Sequence, residues 1–262
     1  MRLNNKKIVV TGGTKGIGAG VVRGYVREGA QVVFCGTNDE RGKATEAEAN
    51  AQAQGAGHAT YLHCNIASKQ EVDSFFSQAL DILGGLDVLA NIAGVEKSIP
   101  AELFTLEDID FIMGVNFNGT VWTNQAAYKA FKEAGVEGAI INYSSDTGMT
   151  GAPNMGIYSA SKGAVLAWTR SIALEWGSAS NVRCNCVSPA IKTPMYEAYL
   201  AHMPEAEREM FLMSTRQRFP IDGDMGEIDR DLVPVMVFLA SEDSRYINGQ
   251  CIAVNGGLVM VR

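Results

Sequence analysis

A tyrosine and a lysine four residues apart, Tyr158 and Lys162, have side chains suited to acid–base chemistry. On a helix this spacing puts both side chains on one face, one turn apart. A free tyrosine titrates near pH ~10, and moving its pKa to about 7 takes roughly 4 kcal/mol. A unit charge about 4 Å away supplies roughly that much at an effective dielectric of about 20. The pair therefore predicts a tyrosine that exchanges protons near neutral pH.

The same spacing recurs at Tyr128 and Lys132, so the spacing alone does not identify an active site. An exposed helical pair, stabilised by a few tenths of a kcal/mol (about 0.2–0.5), is the alternative for either. The elements around each pair must decide between them.

Short, nearly continuous apolar runs alternate with helix-forming stretches to the end of the chain. Strands have this composition when both faces of a parallel sheet are covered. The predicted strands are 7–11, 31–35, 59–64, 86–92, 138–143, 182–187 and 251–254, and the predicted helices are 17–28, 40–54, 69–83, 106–134, 157–177 and 231–240. The pattern predicts a doubly wound α/β fold in one domain, 1–262, with residues 189–227 as a less regular insertion.

Composition limits the expected partners and compartment. The net charge is −7 and no basic run occurs, so neither nucleic acid nor a membrane surface is an expected partner. The first apolar run is too short for a signal peptide, and no apolar stretch approaches the ~18 residues of a membrane span, which predicts a cytoplasmic protein. The 5 cysteines lie in or beside apolar runs and the 3 histidines lack metal-ligand spacing, which predicts buried free thiols and no metal site.

A glycine-rich turn joins the first predicted strand to the first helix, with Gly12, Gly16 and Gly18 in the pattern GxxxGxG. Glycines permit a tight turn and a close approach of the backbone to a pyrophosphate, which the helix N-terminus receives. This context predicts a dinucleotide site, with a plain turn as the alternative.

The end of the second predicted strand bears on the choice of dinucleotide. No acid stands there to hold an adenine ribose, since Asp39 and Glu40 come slightly late. Lys15 in the glycine turn could meet a 2′-phosphate, with Arg41 as further help. We therefore favour NADP over NAD, the alternative being that Lys15 is a solvated loop residue.

Together these motifs resemble the short-chain dehydrogenase/reductase family over nearly the whole chain. The matching residues are Thr11, the glycine turn, Asn-Ile-Ala-Gly at 91–94, Asn116, Ser145, Tyr158, Lys162 and Ser188-Pro189. The resemblance implies a Rossmann fold with a seven-stranded parallel sheet flanked by helices on both faces. It also implies hydride transfer between NAD(P) and a carbonyl or alcohol, and a homo-oligomer, a dimer or more usually a tetramer.

The resemblance also implies roles for single residues. Tyr158 would be the general acid/base, Lys162 its partner and a ribose ligand, and Ser145, at the family's spacing, the hydrogen-bond partner of the substrate oxygen. Asn116 would anchor a proton-relay water, with a structural amide as the alternative. Tyr128 lacks such a serine, which leaves it a surface role. The implied cofactor residues are Gly12, Thr14, Lys15, Gly16, Ile17, Gly18, Thr37, Asn65, Ile66, Asn91, Ala93, Gly94, Tyr158, Lys162, Pro189, Ile191 and Thr193.

Three positions depart from the family pattern: Ile92 replaces an asparagine, Asn65 an aspartate and Ala190 a glycine. An Asn65 amide can still hydrogen-bond adenine, and none of the three changes removes a catalytic group.

The substrate is expected to meet the 189–227 insertion, which is rich in methionine and aromatic residues. Methionine adapts to irregular apolar shapes, so we predict a mobile lid over a bulky apolar alcohol such as a hydroxysteroid or bile acid. The predicted substrate residues are Ser145, Met195, Tyr196 and Tyr199. The alternatives are two ordinary packed helices in the insertion, a small cyclic ketone, sugar or 3-oxoacyl substrate, or an NAD(P)-binding module without turnover.

Overall fold

In a computed structural model of the chain, which describes residues 1–260 except the side chains of Met195 and Tyr199, seven strands form one parallel sheet. They are β1 (Lys7–Thr11), β2 (Gln31–Gly36), β3 (His58–His63), β4 (Val88–Asn91), β5 (Ala139–Tyr143), β6 (Arg183–Pro189) and β7 (Cys251–Val254). Their order is β3-β2-β1-β4-β5-β6-β7. The order reverses between β1 and β4, and in doubly wound sheets ligands bind at the carboxyl ends of the strands beside such a reversal. The predicted fold class is confirmed.

Helices cover both faces of the sheet. They are α1 (Gly16–Arg27), α2 (Asp39–Ala51), α3 (Lys69–Leu83), α4 (Leu106–Met113), α5 (Gly119–Ala134), α6 (Thr147–Thr150), α7 (Gly156–Ser180), α8 (Pro194–His202), α9 (Glu205–Arg218) and α10 (Val233–Ala240). One buried core joins α1, α2 and α10 to the sheet, and a second joins α3, α5 and α7 to the opposite face. Alternate residues of one strand serve the two cores, as Ile8 and Val9 of β1 do. None of the described helices is both long and apolar enough to cross a membrane.

Two predicted segments differ from the structure. The helix expected over 106–134 is divided into α4 and α5 by a π-helical turn, Gly114–Asn118, that carries Asn116. The insertion expected to be less regular holds two helices, α8 and α9. Helix α8 begins with a capping signal, because the Thr193 side chain accepts a hydrogen bond from the Tyr196 backbone N–H and Pro194 occupies the first turn.

A ladder of buried polar side chains connects the strand ends across the switch point. The Thr11 hydroxyl donates to the Asn91 side-chain oxygen at 2.7 Å, and Asn91 reaches Asn142 on β5 at 3.5 Å. Asn142 exchanges two 2.9 Å hydrogen bonds with Asn124 of α5 and donates to Thr169 of α7 at 3.0 Å. Each of these buried groups would be costly to leave unpaired. The ladder therefore fixes the carboxyl ends of β1, β4 and β5 relative to α5 and α7.

All 5 cysteines are free thiols; Cys35, Cys64, Cys184 and Cys186 are buried, whereas Cys251 is half-buried. The prediction of free thiols on apolar strands is confirmed, and only Cys251 is less buried than expected.

Candidate active site

The glycine turn forms an open cradle in front of α1. Gly12 has a φ of +70°, and a Cβ built there would lie 2.6 Å from the Ala93 Cα, so only glycine lets the turn approach the end of β4. Gly16 has a φ of +52° with open space before it. Helix α1 has no acidic residue in its first turn and Lys15 caps it without a side-chain hydrogen bond, which leaves backbone N–H groups available. These features fit a pyrophosphate.

Lys15 in the glycine turn is an exposed cation, whereas Asp39, the acid nearest the end of β2, already has hydrogen-bond partners. Lys15 and Thr37 are exposed. The Asp39 carboxylate accepts a hydrogen bond from the Tyr61 hydroxyl at 2.8 Å and lies 2.8 Å from the His63 Nδ1. Hydrogen bonds from His63 and then Tyr61 lower the pKa of Asp39. Asp39 is thus directed towards β3, and neither of these two partners was predicted from the sequence.

Ser145, Tyr158 and Lys162 come together beyond the end of β5. Tyr158 lies in the first turn of α7 and Lys162 one turn later, while Ser145 follows β5 after a single residue, Ser144. The buried Lys162 ammonium donates to the Tyr143 backbone oxygen at 3.0 Å, and its Nζ lies 5.8 Å from the centre of the Tyr158 ring. The Ser145 hydroxyl oxygen accepts from the Thr147 hydroxyl at 3.1 Å. The three predicted catalytic groups therefore share one pocket edge.

The titration behaviour differs from the sequence expectation. Burial lowers the pKa of Lys162 to about 8. Burial raises the pKa of Tyr158, hydrogen bonding to Ser145 opposes the rise, and the Glu96 carboxylate adds to it. Lys162 was expected to bring the Tyr158 pKa near neutrality, and this expectation is wrong for the protein alone. The ammonium is bonded to Tyr143 and lies 5.8 Å from the ring centre, and desolvation of the phenol has the largest effect on the Tyr158 pKa.

Close packing holds the catalytic helix against the Ser145 turn. The Ser144 hydroxyl donates to the Lys162 backbone oxygen at 3.0 Å. A Cβ on Gly148 would lie 2.8 Å from the Lys162 carbonyl carbon, so any larger residue there would separate α6 from α7. The lysine is therefore positioned by backbone contacts as well as by its own side chain.

Asn116 is fully buried and its amide bridges two elements. It donates to the Val95 oxygen and the Ser161 hydroxyl, each at 2.9 Å, and accepts from the Val95 N–H at 2.8 Å. This arrangement supports the structural-amide alternative for its side chain. Gly94 precedes this contact, and a Cβ built on it would lie 3.2 Å from the Lys162 Nζ.

Asp146 is a site residue that the sequence analysis missed. Its buried carboxylate accepts from the Ser188 hydroxyl at 2.6 Å and from the Asn255 amide at 2.9 Å. It thereby ties the Ser145 turn to the ends of β6 and β7. A charged residue shortly after an apolar strand, beyond Ser144 and Ser145, was the signal available in the sequence.

Some of the other predicted cofactor residues are buried or hydrogen-bonded within the protein, and others line the carboxyl edge of the sheet. Asn91 turns into the interior polar ladder, and Ile66 is buried against Gly119. Asn65 is exposed, although its side-chain oxygen accepts from the Ala67 N–H at 3.0 Å. Thr14, Ile17, Ala93 and Pro189 line the carboxyl edge partly exposed, whereas Ile191 is buried and Thr193 caps α8.

Tyr196, a predicted substrate residue, and Tyr128, the tyrosine that shares the spacing to a lysine, lie in different surroundings. Tyr196 on α8 packs near Phe211 of α9, and its hydroxyl is buried without a hydrogen-bond partner among the described residues. The predictions for the Met195 and Tyr199 side chains lie outside the described part of the chain. Tyr128 stacks on Trp176 with ring centres 4.3 Å apart, and its hydroxyl lies 3.3 Å from that of Ser180. Tyr128 therefore lies at the far end of α7 from Tyr158, as its lack of a matching serine indicated, but it is a half-buried packing residue and not part of an exposed pair.

This combination of a glycine cradle, a switch-point crevice and a Ser-Tyr-Lys group has close counterparts among known proteins. A family model described as enoyl-(acyl carrier protein) reductase matches residues 12–259. A 2,5-dichloro-2,5-cyclohexadiene-1,4-diol dehydrogenase from Sphingobium indicum is 33% identical over 99% of both chains. A 3-alpha-(or 20-beta)-hydroxysteroid dehydrogenase from Mycobacterium bovis is 35% identical over 98% of this chain and 91% of its own.

The structure likewise superposes on a short-chain type dehydrogenase/reductase from Mycobacterium ulcerans with a TM-score of 0.89. The two are 27% identical, and the match covers 98% of this chain and 91% of the other. The chain belongs to the short-chain dehydrogenase/reductase family. It is an NAD(P)-dependent oxidoreductase that acts on CH–OH groups.

The buried Lys162 predicts a pH-dependent stability difference. Its folded pKa of about 8 lies below the ordinary 10.5, so between these values the unfolded chain binds more protons and the folded wild type gains stability as pH rises. Below pH 8 Lys162 is charged in both states, so the folded wild type bears the whole free-energy cost of burying that charge, on the order of 3 kcal/mol. Relative to wild type, Lys162→Met should therefore lose stability in urea denaturation between about pH 8 and 10. The exposed Lys132→Met is the control, and a difference independent of pH would contradict the lowered pKa.

Proposed function

We propose that the protein interconverts a secondary alcohol and its ketone with NADP, using Tyr158 as general acid/base. The observation that carries the proposal is the convergence of Ser145, Tyr158 and a buried Lys162 at the edge that also holds the glycine cradle. A buried lysine is costly, and a module that only bound the cofactor would have no need of it. This favours catalysis over the non-catalytic alternative.

NADP, when bound, supplies or accepts the hydride at the substrate carbon. In the reduction, negative charge develops on the substrate oxygen, where Tyr158 donates a proton and Ser145 donates a hydrogen bond. In the oxidation, Tyr158 takes the alcohol proton. Its raised pKa suits proton donation, so oxidation needs additional positive charge beside the phenol. Lys162 supplies part of that charge. Its hydrogen bond to Tyr143 keeps the ammonium in place beside Tyr158 and the region proposed for the ribose.

Asn116 enters this proposal as a positioning residue. Its amide joins Val95 to Ser161 and so holds the loop after β4 against the catalytic helix. A relay water at Asn116 would therefore have to use groups other than the two side-chain N–H donors, which are both engaged.

Coenzyme choice is proposed to favour NADP. Lys15 is exposed in the glycine turn, and Asp39, the acid nearest the end of β2, is engaged with Tyr61 and His63. A free acid would hold the ribose 2′-hydroxyl of NAD, whereas a nearby cation accommodates a 2′-phosphate. Thr37 lies in the same exposed stretch and would contact the same ribose.

The substrate region is proposed to lie under α8 and α9, the lid that covers the crevice. The partnerless Tyr196 hydroxyl supports a polar contact with the substrate, because a buried hydroxyl gains by acquiring a partner. Met195 and Tyr199 remain proposed substrate residues on sequence grounds. The relatives named above act on a cyclic diol and on a hydroxysteroid, which favours a cyclic secondary alcohol over an acyl-carrier substrate.

A homo-oligomer is proposed to form through α4, α5 and α7. Leu106 and Phe111 on α4 and Leu174 on α7 expose 68%, 45% and 75% of their surfaces. Large apolar side chains exposed on neighbouring helices favour burial against another copy of the chain.

Replacing the catalytic phenol tests the proposed function. Wild type is first screened with steroid, sugar and small cyclic ketones against NADPH and NADH, and the best substrate is then used. Tyr158→Phe should reduce turnover at least about a hundredfold, because it removes general acid catalysis, while NADPH still binds. Tyr128→Phe, which shares the spacing to a lysine, should retain activity. Residual turnover of Tyr158→Phe above a few per cent (about 5%) would contradict the role.

Lys15 provides the test of coenzyme choice. Lys15→Ala removes the cation proposed to meet the 2′-phosphate and should raise the KM for NADPH about tenfold or more, with little change for NADH. Lys132→Ala controls for the loss of one surface charge. An equal change for both coenzymes would show that Lys15 does not contact the 2′-phosphate.

A further inference from the structure

The loop after β4, residues 94–99, is anchored by hydrogen bonds near both of its ends. Val95 is held through its N–H and its carbonyl by the Asn116 amide, at 2.8 and 2.9 Å. The Ile99 N–H donates to the Asn154 backbone oxygen at 2.7 Å. Between these points lies Glu96. The loop has no freedom at either end to carry Glu96 away from α7.

Glu96 faces the same side as Gly94. The Asn116 amide bonds both the N–H and the carbonyl of Val95, as the backbone of a neighbouring β-strand would. The exposure of the residues also alternates along 94–100. Both features belong to an extended segment, in which residues two apart share a side. The side-chain direction of Gly94 leads to the Lys162 Nζ, since a Cβ there would lie 3.2 Å from it. Glu96 therefore belongs to the face that looks onto the catalytic pair.

The field of Glu96 reaches both catalytic groups, since its carboxylate raises the pKa of Tyr158 and opposes the lowering at Lys162. Glu96 is exposed and makes no hydrogen bond or ion pair with any described residue. Its neighbour Lys97, by contrast, pairs with Asp108. A free carboxylate here disfavours the phenolate, so it is a cost for the oxidation, in which Tyr158 must accept a proton.

We propose that Glu96 determines substrate specificity by accepting a hydrogen bond from a second hydroxyl of a neutral diol or polyol. A hydroxyl satisfies the carboxylate without adding charge near Tyr158. A substrate that carries a carboxylate or phosphate would be repelled by the same group. The proposal rests on the proposed function, because it places the oxidised hydroxyl at Tyr158 and the second hydroxyl at Glu96.

The test compares substrates that share one carbon frame: cyclohexanol, the 1,2-, 1,3- and 1,4-cyclohexanediols, and 3-hydroxycyclohexanecarboxylate. Wild type should prefer at least one diol over cyclohexanol in kcat/KM. Glu96→Gln should lower that diol-to-cyclohexanol ratio about tenfold or more, as expected for losing a charged hydrogen bond, and should improve relative use of the carboxylate. Glu102→Gln, a neighbouring exposed acid, should keep the wild-type ratio. An unchanged ratio in Glu96→Gln would overturn the proposal.

Binding in the Tyr158→Phe background separates this proposal from the proposed chemistry. Calorimetry with NADP⁺ present should show diol binding that weakens about tenfold when Glu96→Gln is added. If diol affinity falls in this way but no variant shows turnover, the role of Glu96 is supported and only the role of Tyr158 is rejected. Equal diol affinities with and without Glu96, or diols that neither bind nor react, would reject the role of Glu96.

Discussion

The burial of the Lys162 ammonium is the constraint on which the rest of the site depends. Only 4% of this residue is exposed, and its Nζ donates a hydrogen bond to the Tyr143 oxygen at 3.0 Å. A buried cation with so little compensation must be held in place by its surroundings. The Ser144 hydroxyl, the close approach of Gly148 and the absence of a side chain at Gly94 do this. Ser144 and Gly148 belong to the connection between β5 and α7, and Gly94 belongs to the loop after β4.

The same burial determines how Tyr158 works. A phenol removed from water keeps its proton more firmly, and Lys162 lies beside its ring at 5.8 Å while bonded elsewhere. In our account Tyr158 therefore rests as a ready proton donor in the free protein. We propose that the positive charge of an oxidised nicotinamide would add to that of Lys162 and favour the phenolate for the oxidation. The direction of catalysis would then be coupled to the oxidation state of the cofactor.

Periodicity predicted the seven strands and the covered sheet, because these depend on local pattern, and the resemblance of the motifs to the family implied the grouping of Ser145, Tyr158 and Lys162. The features that were missed depend on contacts between distant segments. Asp39 is held by Tyr61 and His63 of the neighbouring strand, and the π turn at Asn116 meets both Val95 and Ser161. Helix α8 was expected only as the alternative to a less regular segment, although Thr193 and Pro194 form a recognisable helix start.

The central claim is that Tyr158 is the proton donor whose ionisation responds to the cofactor. Ultraviolet difference titration of wild type against Tyr158→Phe, without and with saturating NADP⁺, measures this ionisation directly. The account predicts that Tyr158 of the free protein titrates above its ordinary value of 10.0 and that NADP⁺ lowers its pKa. A phenol that already ionises near neutral pH (about 7) in the free protein, or one whose titration NADP⁺ leaves unchanged, would contradict it.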